Sequence, residues 1–166
     1  MHLKSLLDWT PSAISKIIQR SALIKKDLKN GLTMPQALTG KTLALLFTKK
    51  STRTRLSAET GWAHYGGHSV FLSPQDCQLS GGETWSDTAR VVGSMASCVL
   101  ARVHAHQDLE ELCQYSSAPV LNALSDKFHP LQILADALTI KELFQDKPVK
   151  IAWVKTMSII LTGWRF

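Results

Sequence analysis

Short apolar runs alternate along this chain with longer stretches of helical period, and that alternation sets out its elements. Thr42–Phe47 is an apolar run that reads as a buried strand. Ser69–Leu72, Cys98–Val103, Pro119–Asn122 and Val149–Val154 repeat the pattern. Helices are expected between them, over Thr52–Tyr65, Thr84–Met95, Asp108–Tyr115 and Pro130–Phe144. Val91, Val92 and Met95 are expected to point inward from the second of these, and Ile133, Leu134, Ala137, Leu138 and Ile140 from the last. An earlier helix starts at Thr10-Pro11, a hydroxyl cap followed by proline, and ends at Asn30-Gly31. Ile14, Ile17, Ile18, Ala22 and Leu28 share one face of it. Repeated βα units of this length predict an α/β fold, a parallel β-sheet with helices on both faces. In such sheets ligands bind at the carboxyl ends of the strands. The turns expected there are Ser51–Arg55, the polar loop Ser73–Gly82, Arg102 with His104, and Asn122–Pro130.

The first of these turns is the most pointed. A strand, a short polar turn and a helix start leave backbone N–H groups unpaired at the positive end of the helix dipole. Here Ser51, Thr52 and Thr54 add hydroxyls, and Arg53 adds a guanidinium that can grip two oxygens at once. The plain alternative is a capped helix with solvated arginines. Arg102 closes the strand Val99-Leu100-Ala101 and can reach the same crevice, or form an edge salt bridge. Pro130 suits a first helical turn, which places His129 at the cap and Gln132 three residues on, facing the same way. A lone histidine there also serves simply as a cap. No nucleophile activated by a base stands out, and His104-x-His106 lacks further residues to complete a metal site. The set suits electrostatic stabilisation of a small phosphorylated electrophile.

Composition narrows the reading only a little. The chain has 166 residues, 45% hydrophobic and 19% charged, enough for one domain with a core. A net charge of +6 suits anionic partners, but dispersed lysines without interleaved aromatics argue against nucleic acid. No run is long and apolar enough to predict a membrane span. Cys77, Cys98 and Cys113 are widely spaced and odd in number, which argues against a disulfide framework and for a reducing compartment. No secretory or transit leader is evident at the N-terminus, and neither GxGxxG nor a P-loop lysine motif occurs.

Ser51-Thr52-Arg53-Thr54-Arg55 with His129-Pro130-Leu131-Gln132 resembles the carbamoyl-phosphate-binding half of the aspartate and ornithine carbamoyltransferases. Asp87–Val91, Leu100–Val103, Asn122–Asp126 and Phe128–Asp136 resemble the ornithine branch more closely than the aspartate branch. The resemblance runs from His2 to about Val154 and implies roles by position. Ser51, Thr52, Arg53 and Thr54 would hold the phosphate of carbamoyl phosphate. Arg102 and His129, the expected catalytic pair, would bond the carbonyl oxygen together with the Thr54 hydroxyl. Gln132 would accept from the carbamoyl amide, and Gln78 matches a position that reaches a neighbouring subunit's site. Arg55 is expected to be structural. The resemblance implies a homotrimer, no metal or organic cofactor, and the mitochondrial matrix for a eukaryotic source or the cytoplasm for a bacterial one. The implied reaction gives citrulline and phosphate.

Residues 1–148 are expected to form the carbamoyl-phosphate-binding domain, and residues 149–166 an aberrant stub of the ornithine-binding domain. No His-Cys-Leu-Pro motif or Ser-Met-Gly loop appears, and Gly82 stands where some family members carry lysine. The expectation is therefore a chain that binds carbamoyl phosphate but is catalytically impaired, with L-ornithine bound only if a second domain were present. The rival readings are an aspartate carbamoyltransferase fragment and a non-catalytic subunit that joins full-length trimers.

Overall fold

Leu43 to Phe47 are all buried, as a strand with neighbours on both edges and helices on both faces must be. This strand is β1 (Thr42–Phe47), and the computed structural model describes residues 1–145 and 147–152 around it. β2 (His68–Leu72), β3 (Cys98–Arg102) and β4 (Val120–Leu124) complete a parallel sheet in the order β2-β1-β3-β4. Register pairs Leu45 with Phe71 on one side and Leu100 on the other, and Phe47 with Arg102. The N-terminal segment covers part of the free edge of β4. Leu3 bridges Leu121, its N–H donating to the Val120 carbonyl and its carbonyl accepting from Asn122, each at 2.9 Å.

Alternate strand residues point to opposite faces and build two cores. Ala44, Leu46, Val99, Ala101 and Val120 pack with Ala89 of α3 (Trp85–Met95) and with Leu109 and Leu112 of α4 (His106–Tyr115). Leu43, Leu45, Phe47, Leu100 and Ala123 face the other way, against Ala58 and Trp62 of α2 (Thr52–His64) and Leu131 of α5 (Pro130–Phe144). The helices thus cover both faces, as predicted. α1 (Pro11–Lys29) lies outside α5, joined to it by the Lys25–Glu142 ion pair at 2.6 Å. Thr10 caps α1 through its Oγ1, which accepts from Ala13 N–H at 3.2 Å.

Three expectations need correction. Val91 and Met95 do not point inward: they are exposed, and α3 buries Thr88, Ala89 and Gly93 instead. Small residues win that face because α3 packs tightly against the start of the Ser116-Ser117 turn. A Cβ on Gly93 would stand 2.6 Å from Ser116 Oγ and 2.9 Å from Ser117 N. The fourth strand runs Val120–Leu124 rather than Pro119–Asn122, since proline has no N–H for the ladder. The strand expected at Val149–Val154 does not form over residues 149–152, and the rest of it lies outside the described residues. Cys77, Cys98 and Cys113 are free thiols, and burial pushes Cys113 up to about 11.

Candidate functional site

The strand order fixes where a ligand can sit. From β1 the chain crosses to β2 on one side, and from β3 it crosses to β4 on the other. The carboxyl ends of β1 and β3 are therefore the point where the connections diverge and leave a crevice. The sheet itself holds the turns on either side in register. Thr48 N–H donates to the Arg102 carbonyl at 2.8 Å, three residues before Ser51. Val103 N–H donates to the Leu124 carbonyl at 2.9 Å, so the turn after β4 starts beside the turn after β3.

On the β1 side, α2 begins without capping itself. Ser51 occupies the N-cap position in extended geometry, yet its hydroxyl makes no capping hydrogen bond, and no acidic residue sits in the first turn. The amides at that end are left for a ligand, and the helix dipole favours an anion. Ser51 and Thr54 are partly exposed, while Thr52 and Arg53 are open to solvent. Ser51 and Thr52 line an open groove of about 780 Å³ together with Lys49, Lys50, Arg55 and, from the end of β2, Phe71, Ser73 and Gln75. Arg55 is held within its own wall. Its Nε reaches Glu59 Oε1 at 3.0 Å and its guanidinium lies 3.6 Å over the Phe71 ring.

On the β3 and β4 side, Arg102 ends β3 and His129 precedes α5, near enough for the guanidinium to act on the imidazole. Arg102 Nε and His129 Nδ1 are both buried and have no hydrogen-bond partner. Such orphaned polar atoms cost stability unless a ligand serves them, which is why they gather at functional sites. The imidazole is pushed down to about 4, first by burial and then by the nearby Arg102 guanidinium, with Asp136 opposing. At neutral pH His129 is thus uncharged and can serve as a hydrogen-bond partner beside a cation. Burial also lowers Arg102 itself. Lys49 connects the two sides: burial depresses its pKa, Arg102 depresses it further, and Asp126 opposes.

The remaining candidates stand further from this pair. Gln132 is exposed one turn into α5, and its Nε2 donates to Asp136 Oδ1 at 2.9 Å. Gln78 is exposed at the start of a short 3₁₀ helix, Gln78–Gly81. Arg53, Thr54, Gln78, Arg102, His129 and Gln132 are not among the groove's walls, so of the expected site residues only Ser51 and Thr52 line it. The partners that hold the turn before His129 were not legible in the sequence. His106, weighed in the sequence only as a metal ligand and set aside, is buried behind that turn with Nδ1 2.8 Å from Ser125 Oγ. Its spacing to Ser125 carries no periodic signal that could have announced the contact. Among the described residues no group of three or more His, Cys, Asp or Glu side chains is arranged to hold a metal ion, and no helix is long and apolar enough to cross a membrane.

Comparison with known proteins adds an independent line. Residues 1–142 match the family model of the aspartate/ornithine carbamoyltransferase carbamoyl-P binding domain. The ornithine carbamoyltransferase of Chromohalobacter salexigens is 48% identical over 98% of this chain and 54% of its own length. The mitochondrial ornithine transcarbamylase of Pachysolen tannophilus is 42% identical over 96% of this chain and 47% of its own. The solved ornithine carbamoyltransferase of Pyrococcus furiosus superposes with a TM-score of 0.82 at 46% identity, over 86% of this chain and 45% of that one. The chain spans about half the length of the curated relatives it matches.

Proposed function

Because this chain belongs to the aspartate/ornithine carbamoyltransferase family, we propose that its described residues bind carbamoyl phosphate for transfer to the δ-amine of L-ornithine. Residues 1–148 form the carbamoyl-phosphate unit in this reading. The amine acceptor would be held by an ornithine-binding half, and transfer is proposed only where such a half joins this one. The observation that carries the reading is the pair of buried, unpartnered nitrogens, Arg102 Nε and His129 Nδ1, beside a helix start that leaves its own amides unserved.

The roles follow from charge and position. The phosphate dianion sits at the N-terminus of α2, taken by the first-turn amides, by the hydroxyls of Ser51, Thr52 and Thr54, and by Arg53. Arg102, neutral His129 and the Thr54 hydroxyl face the carbonyl oxygen, and Gln132 accepts from the carbamoyl amide. Attack by the neutral amine forms a C–N bond and builds negative charge on that oxygen, which Arg102 and His129 stabilise. The C–O bond to phosphate then breaks, and the leaving phosphate carries away the proton lost by nitrogen. Loss of one such oxyanion donor costs on the order of 10²–10³ in rate. Citrulline is the other product, which places the reaction in arginine synthesis or the urea cycle.

A homotrimer, with Gln78 reaching a neighbour's site, is part of the proposal, as is the mitochondrial matrix for a eukaryotic source and the cytoplasm for a bacterial one. The ornithine branch is favoured over the aspartate branch by Asp87–Val91 and Phe128–Asp136. A non-catalytic role within full-length trimers would require the chain to co-purify with a full-length relative. Titration calorimetry with carbamoyl phosphate tests the binding reading. Saturable heat that Arg53→Ala strongly weakens is expected; no heat with the unaltered chain would overturn it.

A further inference from the structure

The turn that carries His129 is closed by a residue to which the carbamoyl-phosphate reading gives no task. His106 opens α4, is 5% exposed, and reaches across from the turn after β3 to the turn after β4. Its backbone N–H donates to Asp126 Oδ1 at 2.6 Å, and its Nδ1 lies 2.8 Å from Ser125 Oγ. Its ring meets the Phe128 ring edge-on, with centroids 5.2 Å apart. Ser125 is fully buried, and its hydroxyl oxygen accepts from the N–H groups of Lys127 and Phe128 at 3.3 and 3.2 Å.

A hydroxyl has one proton and two acceptor positions. The two amides occupy the acceptor positions, so the proton remains to be placed. The Phe128 carbonyl, at 3.4 Å, already accepts from Ser125 N–H at 3.0 Å and from Asn122 Nδ2 at 3.3 Å. His106 Nδ1 is nearer and otherwise unserved, so the Ser125 hydroxyl donates to it and the ring proton sits on Nε2. We infer that His106 is a positioning residue whose Nδ1, by accepting from Ser125, closes the 125–128 turn and sets the His129 imidazole against Arg102. This rests on the reading of His129 as a substrate-binding group.

A second ring proton would have to go on Nδ1, aimed at an oxygen whose acceptor positions are filled. Protonation therefore opens the clasp. The charged groups facing the ring come from three places: Glu110 on α4 itself, with Oε1 3.8 Å from Nε2; Asp126 and Lys127 on the turn; and Lys4 on the N-terminal segment. Glu110 and Asp126 favour the charged ring and the lysines oppose it, but burial is the largest influence and keeps it neutral. The clasp is thus closed at neutral pH and gives way only below the ordinary imidazole range.

The test uses the full chain, unaltered and as His106→Gln and His106→Leu. Glutamine can present an oxygen to the Ser125 proton, whereas leucine fills the space without an acceptor. In the ligand-free protein, ¹⁵N spectra should show the Nε2–H tautomer at His106. Hydrogen exchange at the Lys127 and Phe128 amides should be faster in His106→Leu by about tenfold and restored in His106→Gln. Carbamoyl phosphate affinity should follow the same order, weakened about tenfold and then rescued. As pH falls below the ordinary imidazole range, protection of those amides relative to their intrinsic exchange rate should drop in the unaltered chain but hold in His106→Gln. An Nδ1–H tautomer, unchanged exchange in His106→Leu, or a Gln variant that behaves like Leu would overturn the inference. Should His106→Leu fail to fold, the tautomer and the Gln acid profile decide alone. Faster exchange at both amides without any carbamoyl phosphate binding to the unaltered chain would uphold the clasp and refute the substrate reading instead.

Discussion

At the end of β1 the chain leaves Ser51 without a capping bond and Arg53 in solvent, whereas the turn after β4 is laced with internal hydrogen bonds. Ser125, Asn122 and His106 tie the second turn together from inside the protein, and Asn122 Nδ2 joins it to the N-terminal segment through the Lys4 carbonyl at 2.8 Å. The two turns lie at the carboxyl edge of one parallel sheet but differ in how they are completed. In the proposed reading, the first is a set of donors whose partner is the ligand. The second is tied from inside and leaves His129 Nδ1 and Asn122 Oδ1 buried without a partner, as is Arg102 Nε at the end of β3. Phosphate offers oxygens in many directions and tolerates a loose grip, while stabilising charge on a single carbonyl oxygen needs donors held in place beforehand.

The contrast can be broken at either turn. Arg53→Ala should weaken carbamoyl phosphate binding by roughly 10–150-fold, the range of a charge-assisted hydrogen bond, while leaving the melting temperature unchanged. Calorimetry and a thermal melt on the same sample check both halves. Asn122→Ala should do the reverse in emphasis. It strips a fully buried amide that serves two segments and should cost about 1–3 kcal/mol of stability, read by denaturant unfolding.

Acid sharpens the comparison, because His129 in the second turn and His106 packed against that turn are both lowered by burial. For a histidine whose folded pKa lies below its unfolded value, the unfolded chain takes up protons first as pH falls. Stability contributed by His129 is therefore full above about 6.5 and is lost on descending from there to about 4. His106 is lowered as well and adds in the same direction. Melting temperatures recorded between those limits should fall, and less steeply in His129→Gln. The smallest effect belongs to Arg55→Ala. Its ion pair with Glu59 is solvent-exposed, and with the Phe71 contact it should be worth about 1 kcal/mol or less by chemical denaturation.

The same contrast explains what could be read from the sequence. The first turn is local: a strand, three hydroxyl residues, arginines and a helix start lie within a few positions, so Ser51–Arg55 announces itself. The helices at Thr10-Pro11 and Pro130 were legible for the same reason, since cap and proline are adjacent to the residues they order. The second turn depends on contacts between residues far apart in the chain. Ser125 with His106, and Asn122 with Lys4, are 19 and 118 positions apart, and neither pair has a spacing that periodicity can register. The inward face of α3 was misjudged because apolar residues were counted as buried ones. Close helix–turn packing at Gly93 selected Thr88, Ala89 and Gly93 and left Val91 and Met95 outside. The strand order β2-β1-β3-β4, which places Arg102 beside Thr48, follows from no single segment.

The convergence of both turns on one small acyl phosphate is tested most directly by titrating the ¹⁵N-labelled chain with carbamoyl phosphate. The amides of Thr52 to Thr54, the Arg102 Nε–H and the His129 ring nitrogens should all shift along one saturation curve with a single dissociation constant. Shifts confined to the start of α2, or two groups saturating at different concentrations, would show that the anion grip and the Arg102–His129 pair do not share a ligand.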